Sequence, residues 1–163
     1  MPDSESEPAT PLPSPSSSSE TKEDHMARQA YVEALRRIQE WKADGGDGLN
    51  FMDLGLRDLP PEIGQLSALK VLALHNNSLQ QLPPEIGQLS ALKYLYLQDN
   101  ALQQLPPEIG QLSALESLYL RGNPGLGLPP EVVKDRFNPR AILDYYFSKV
   151  AASARPLNEV KLL

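Results

Sequence analysis

The chain has 163 residues, a formal net charge of −6 and no cysteine, a length suited to one domain with attachments. Residues 1–25 hold six acids against Lys22 alone, so the rest is near neutral and lacks the basic footprint of a nucleic-acid binder. No run approaches the roughly 18 apolar residues of a membrane span, and Met1-Pro2-Asp3-Ser4 begins neither the basic nor the apolar region of a signal peptide.

In chain order, residues 1–25 are rich in Ser, Pro, Glu and Asp without an aromatic side chain, which predicts a disordered tail. Residues 26–45 turn helical. Ala27, Ala30, Tyr31, Ala34, Leu35, Ile38 and Trp41 recur at steps of three and four and form one apolar stripe, and Gly45-Gly46 ends it. Such a helix, directly abutting the periodic segment that begins at residue 46, is expected to cap an open core, with Trp41, Ile38 and Leu35 as the covering side chains.

Residues 46–133 are periodic. The phrase Leu59-Pro60-Pro61-Glu62-Ile63-Gly64-Gln65-Leu66-Ser67-Ala68-Leu69 returns 23 residues later from Leu82 and again from Leu105. A fourth start stands at Leu128-Pro129-Pro130-Glu131-Val132. Between the phrases runs LxxLxLxxNxL, filled by Leu69, Leu72, Leu74, Asn77 and Leu79, then by Leu92, Leu95, Leu97, Asn100 and Leu102. In the first unit Leu49, Phe51, Leu56, Leu59 and Ile63 hold the equivalent places, with Leu54 instead of the asparagine. The last unit drifts, because Gly125 stands where Leu79 and Leu102 stood. This period and pattern identify a leucine-rich repeat, each repeat one coil of a solenoid. The expected fold is α/β, with a short parallel sheet on the concave face and helical caps at both ends.

The coil follows from local chemistry. Leu-x-Leu alternates as a strand does, so Leu72 and Leu74 point inward and Val71, Ala73 and His75 outward. The residue before each proline is held extended, and the second proline opens a short helical turn on the convex side. Asn77, Asn100 and Asn123 form a structural ladder, each amide expected to satisfy backbone groups of its own coil and the next. Beyond the repeats, Asn138-Pro139-Arg140 reads as a helix start. Residues 134–150 are then the C-terminal cap, built on Ala141, Ile142, Tyr145, Tyr146 and Lys149. Residues 151–163 read as a linker followed by the start of a truncated strand at Val160-Lys161-Leu162-Leu163.

Catalytic chemistry finds no footing. Glu62, Glu85, Glu108 and Glu131 stack at the period, but each opens a helical turn, where negative charge is favoured. His25 and His75 have no cysteine near them and do not make a zinc site. Gly122-Asn123-Pro124-Gly125-Leu126-Gly127 lacks the Lys-Ser/Thr of a phosphate loop. Asn76-Asn77-Ser78 matches a glycosylation sequon, and the repeat already accounts for Asn77. No catalytic residue, cofactor, metal or small-molecule substrate is expected, and the absence of cysteine predicts a cytoplasmic location.

What remains is the concave face. Its columns read Gly48, Val71, Tyr94, Ser117; Asn50, Ala73, Tyr96, Tyr119; Met52, His75, Gln98, Arg121; and Asp53, Asn76, Asp99, Gly122. Tyr94, Tyr96 and Tyr119 fall together, with Arg121, Asp99, Gln98 and His75 around them. Tyrosine and arginine dominate interface hot spots, so this cluster is the expected partner-binding site of a non-catalytic protein-interaction module.

The unit LPPEIGQLSALKxLxLxxNxLQQ resembles the intracellular leucine-rich repeats of Ras-associated scaffolds and of Roco proteins, where repeats precede a Roc GTPase and COR module. Asn138-Pro139-Arg140-Ala141-Ile142-Leu143-Asp144-Tyr145-Tyr146 and Arg155-Pro156-Leu157-Asn158-Glu159-Val160-Lys161-Leu162-Leu163 look like the junction of bacterial Roco repeats with the first Roc strand. The resemblance implies the regulatory arm of a Roco-type GTPase, some with a kinase. The partners it implies are a small GTPase or the adjacent Roc-COR module. The phosphate loop of that family would follow Leu163, so no nucleotide-binding residue is carried over.

Overall fold

Inward leucines at alternate positions favour short strands that share one core. The chain forms four: β1 (Gly48–Asn50), β2 (Val71–Ala73), β3 (Tyr94–Tyr96) and β4 (Ser117–Tyr119), paired in parallel in chain order. The structure, a computed structural model, describes residues 20–154. The expected tail over residues 1–19 and the linker and strand over residues 155–163 lie outside the described residues.

Strand register equals the sequence period. Gly48 pairs with Val71, Val71 with Tyr94, and Tyr94 with Ser117, so each repeat position forms a column across the sheet. Hydrogen bonds continue past the strands, from Leu74 N–H to the Tyr96 carbonyl at 2.8 Å and from Leu97 N–H to that of Tyr119 at 2.8 Å. On the convex side each coil returns through a 3-10 turn, at Pro61–Gln65, Pro84–Gln88 and Pro107–Gln111. The second proline is the first residue of each, where its missing N–H costs nothing. Leu72, Leu74, Leu79, Ile86, Leu89 and Leu92 are fully buried between strand and turn.

The glycine of Glu-Ile-Gly-Gln is there for close stacking. A Cβ on Gly87 would come within 2.6 Å of the Glu108 carbonyl and 2.9 Å of the Glu108 Cβ in the next turn. Gly110, in the last such turn, would meet nothing within 4 Å. The repeat stops there, and the C-terminal cap does not press as closely.

The asparagine ladder is complete, with one correction to its direction. Asn100 Nδ2–H donates to the carbonyls of Leu97 (3.1 Å) and Leu74 (3.0 Å), and its Oδ1 accepts the Leu79 N–H (3.0 Å). Leu74 and Leu79 belong to the preceding coil, so each amide ties its own coil to the one before rather than the one after. Asn123 repeats the pattern with Leu120, Leu97 and Leu102. Asn77 does so with Leu74, Phe51 and Leu56. The inward amide sits on the turn leaving the strand, within reach of one carbonyl of its own coil and of backbone groups of the earlier coil.

The N-terminal helix α1 spans Lys22–Asp44, beginning inside the stretch expected to be tail. Thr21 and Asp24 form a capping box: Thr21 Oγ1 accepts the Asp24 N–H at 3.0 Å and the Asp24 carboxylate accepts the Thr21 N–H at 3.1 Å. Arg57, 2.6 Å from that carboxylate, ties the cap to the first coil. With Thr21 it holds the Asp24 carboxyl down at about 2. Composition marked Lys22–His25 as polar tail; the local cap makes it helix. α1 buries Ala30, Ala34 and Ile38. Trp41 packs against the same core but is half-buried, as is Leu35. Ile38, fully enclosed, is therefore the main plug and Trp41 its flank.

At the other end α2 (Pro130–Val133) and α3 (Pro139–Ala154) close the solenoid. Asn138 Oδ1 accepts the Ala141 N–H at 3.2 Å, as the helix-start signal requires. Two boundaries shift. Residues 134–138 are a connection between helices, and Ala151–Ala154, expected as linker, continue α3, since alanine favours helix and no proline intervenes before Pro156. Ile142, Leu143 and Tyr146 form the buried stripe, while Tyr145 is exposed. The Tyr146 hydroxyl accepts the Leu105 N–H at 3.0 Å. Where Gly125 breaks the pattern, Leu126 fills the core one place later, and Gly127 turns the chain at φ +65°. Lys149 Nζ donates to the Gly127 carbonyl at 2.9 Å.

Candidate functional site

The concave face divides by column. In the second, the side chains grow from Asn50 and Ala73 to Tyr96 and Tyr119, so its bulk gathers at the C-terminal half. Tyr96 and Tyr119 stack with ring centroids 4.5 Å apart and planes within 16°. Parallel strands hold equivalent side chains at about the spacing of an aromatic stack. His75 lies against Tyr96 at 5.9 Å. Burial, with Tyr119 beside it, raises the Tyr96 phenol above its ordinary pKa, so it stays neutral and can donate. Tyr94, one column away, donates to the Glu116 carboxylate at 3.2 Å. That hydrogen bond, reinforced by the carboxylate charge, raises its pKa too.

Two polar atoms on this face are buried without a protein partner, His75 Nδ1 and Gln98 Oε1. They stand in adjacent rows of the third column. Buried polar groups are normally satisfied, and neither of these two has a hydrogen-bond partner within the protein.

Asp99 has a structural explanation of its own. Asp53, Asn76 and Asp99 all adopt left-handed backbone, at φ 60°, 61° and 60°, and Gly122 follows at 81°. The fourth column is thus the turn that leaves each strand, and it holds residue types that tolerate this conformation. Its composition reports backbone geometry before it reports recognition. Ser117 departs differently: placed by the columns on the open face, it is 1% exposed. The edge of β4 is covered, because the Leu118 N–H donates to the Arg136 carbonyl at 2.9 Å and the connection after α2 runs beside the strand.

That connection supplies residues which periodicity could not reveal. The Arg136 guanidinium lies over the Tyr119 ring at 5.6 Å and over the Phe137 ring at 4.6 Å, extending the Tyr96–Tyr119 stack by a cation. Gln98, Tyr119, Arg121, Lys134 and Arg136 line a cavity of about 350 Å³. A larger one of about 510 Å³, lined mainly by Leu120, Pro124, Leu128, Pro130 and Val133, adjoins it where the solenoid ends. The only sequence signal was local, two basic residues and an aromatic one just before the helix start at Asn138. Among the described residues no three His, Asp or Glu side chains converge as metal ligands, and no helix is long and apolar enough to cross a membrane.

The comparisons agree with this geometry. A family model described as leucine rich repeat matches residues 67–124. Among solved structures, the chain is similar to a leucine-rich repeat protein of Leptospira interrogans at 38% identity and a TM-score of 0.51. That match covers 63% of this chain and 25% of the other, so the chain spans about a quarter of that protein's length. The search of curated proteins finds no match. With its parallel ladder, asparagine spine and helices at both ends, the fold is that of a leucine-rich repeat solenoid.

Proposed function

We propose that this chain is a non-catalytic protein-interaction module that binds its partner on the concave face, through Tyr94, Tyr96 and Tyr119 with His75, Gln98, Asp99 and Arg121 around them. The observation that carries the reading is the stacked Tyr96–Tyr119 pair beside the unpartnered polar atoms of His75 and Gln98. A rigid sheet presents these groups at fixed spacing, which lowers the entropy lost when a partner docks. Leucine-rich repeats stack into extended curved surfaces that suit such use. The cysteine-free repeats support a cytoplasmic location.

Capture of binding proteins on immobilised chain tests this. The variant with Tyr94→Ala, Tyr96→Ala and Tyr119→Ala should lose its captured proteins while its melting temperature stays close to the parent's. Retention of every one at parental affinity would refute the concave-face reading.

A second reading has its own observation, the resemblance of residues 138–146 to the Roco junction. Asn138 precedes α3 and residues 139–146 form its first half, with Ile142, Leu143 and Tyr146 in the core. In this reading the repeats are the regulatory arm of a Roco-type GTPase, some of which carry a kinase, and the partner is the adjacent Roc-COR module or a small GTPase. Reading the coding sequence beyond Leu163 tests it: a glycine-rich phosphate loop within the next strand and turn is expected, and a stop codon there removes this reading.

A further inference from the structure

We infer that the C-terminal rim of the concave face, at Arg121, Lys134 and Arg136, receives the carboxylates of an acidic protein segment. The inference rests on the concave-face reading and adds the chemistry of the partner. Its first support is the gathering of three unpaired cations on one cavity. Arg36, Arg37, Arg57, Lys70 and Lys93 each face a carboxylate within 4 Å, whereas Lys42 and Lys149 donate to neutral oxygens and stand apart from one another. Among the described residues, Arg121, Lys134 and Arg136 make no ion pair, although all three are exposed and line one cavity of about 350 Å³. Asp135 lies between two of them in the chain and pairs with neither. Like charges gathered without a direct ion pair repel, and a bound anion relieves that repulsion.

The second support is preorganisation. Arg136 is held by its backbone carbonyl on the Leu118 N–H and by ring contacts to Tyr119 and Phe137. A guanidinium stacked on aromatic faces keeps its in-plane N–H groups available, and their fork matches a carboxylate. The third is Gln98 Oε1, buried on the same lining without a donor, which the N–H of an extended peptide would satisfy. A polyphosphate chain fits less well. Three cations with Asp99 and Glu131 nearby on a near-neutral body do not neutralise a phosphate backbone, whose affinity grows with the number of charges met.

Fluorescence anisotropy with the fluorescein-labelled peptide (Glu-Gly)4 tests the inference on the full chain, with (Gln-Gly)4, (Lys-Gly)4 and an eight-nucleotide uridine RNA as controls. We expect saturable binding of the acidic peptide, at least fivefold weaker with Arg136→Glu and also with Lys134→Glu. Raising the salt from about 0.05 M to 0.3 M should weaken it as well, since exposed charges are screened within a Debye length. No saturable binding, equal binding of the neutral peptide, or stronger binding of the RNA overturns the inference. Both variants change exposed side chains, and a melting temperature within about 2 °C of the parent's shows that each is folded. If proteins captured on the immobilised chain depend on the tyrosines but ignore both charge reversals, the concave-face reading stands and the acidic partner falls.

Discussion

Asn100 shows how much one side chain can carry in this architecture. Its amide joins three backbone groups, two of them on the preceding coil, and it is 8% exposed. Removing it strands the buried Leu79 N–H, while the carbonyls of Leu74 and Leu97 keep one donor each, from Asn77 and Asn123. An unsatisfied buried group costs about 1–3 kcal/mol, so Asn100→Ala should destabilise by about that much and lower the melting temperature by several degrees. Asn77→Ala, at a partly buried position, should cost less. Thermal unfolding followed by circular dichroism separates the two, and equal effects would mean that the ladder contributes no more where it is drier. The neighbouring column obeys a different rule. Asp99 at φ 60° should tolerate glycine and resist valine, because a β-branched side chain clashes in left-handed backbone.

The two helical caps solve one problem, an open coil end lined with leucines, by different means. α1 lays a stripe of small residues on the first coil, with Ala30 and Ala34 letting the helix approach closely and Ile38 entering the core. Polar contacts fix its rotation: Arg37 donates to the Asn50 carbonyl at 2.6 Å and Lys42 to Gln65 at 2.7 Å. α3 instead inserts a tyrosine whose hydroxyl closes an open hydrogen bond of the third convex crossing. Sequence spacing marks both helices as amphipathic. It ranks their side chains poorly, because periodicity gives a face and not a depth. Trp41, the largest residue of the stripe, ends half-buried where the helix runs past the coil, while Ile38 lies at its centre. Ile38→Ala should therefore cost about 2–5 kcal/mol, the usual range for a fully buried aliphatic side chain, and expose the first coil to self-association. Trp41→Ala should cost less. Urea titration with light scattering measures both, and a larger loss from Trp41→Ala would show the cap to be centred elsewhere.

In a stack of coils, whatever repeats can be read from sequence, while the contacts that end the repetition are read only in part. The 23-residue spacing fixes strand register, inward leucines, convex turns and ladder positions at once, since one coil's solution serves the next. The rim at Lys134–Phe137 has no counterpart one period earlier, so its fold-back over β4, the burial of Ser117 and the cation on Tyr119 were invisible to pattern. The start of α1 at Lys22 was hidden for a related reason, a local cap within a stretch judged by composition. The same modularity makes a prediction. Deleting residues 59–81 joins Asp58 to Leu82 at equivalent repeat positions, and Asn100 then stands where Asn77 stood, facing Phe51 and Leu56. Stability in such arrays is approximately a sum over repeats and their interfaces. The shortened chain should fold and unfold in one transition, with a lower midpoint and a smaller urea dependence, because less surface is exposed on unfolding. It should also keep the Tyr96–Tyr119–Arg136 arrangement and bind the acidic peptide within about twofold of the parent. Deleting residues 59–74 breaks the period and should leave no cooperative transition. If both deletions behave alike, the coils are not interchangeable and the register is held by contacts specific to each.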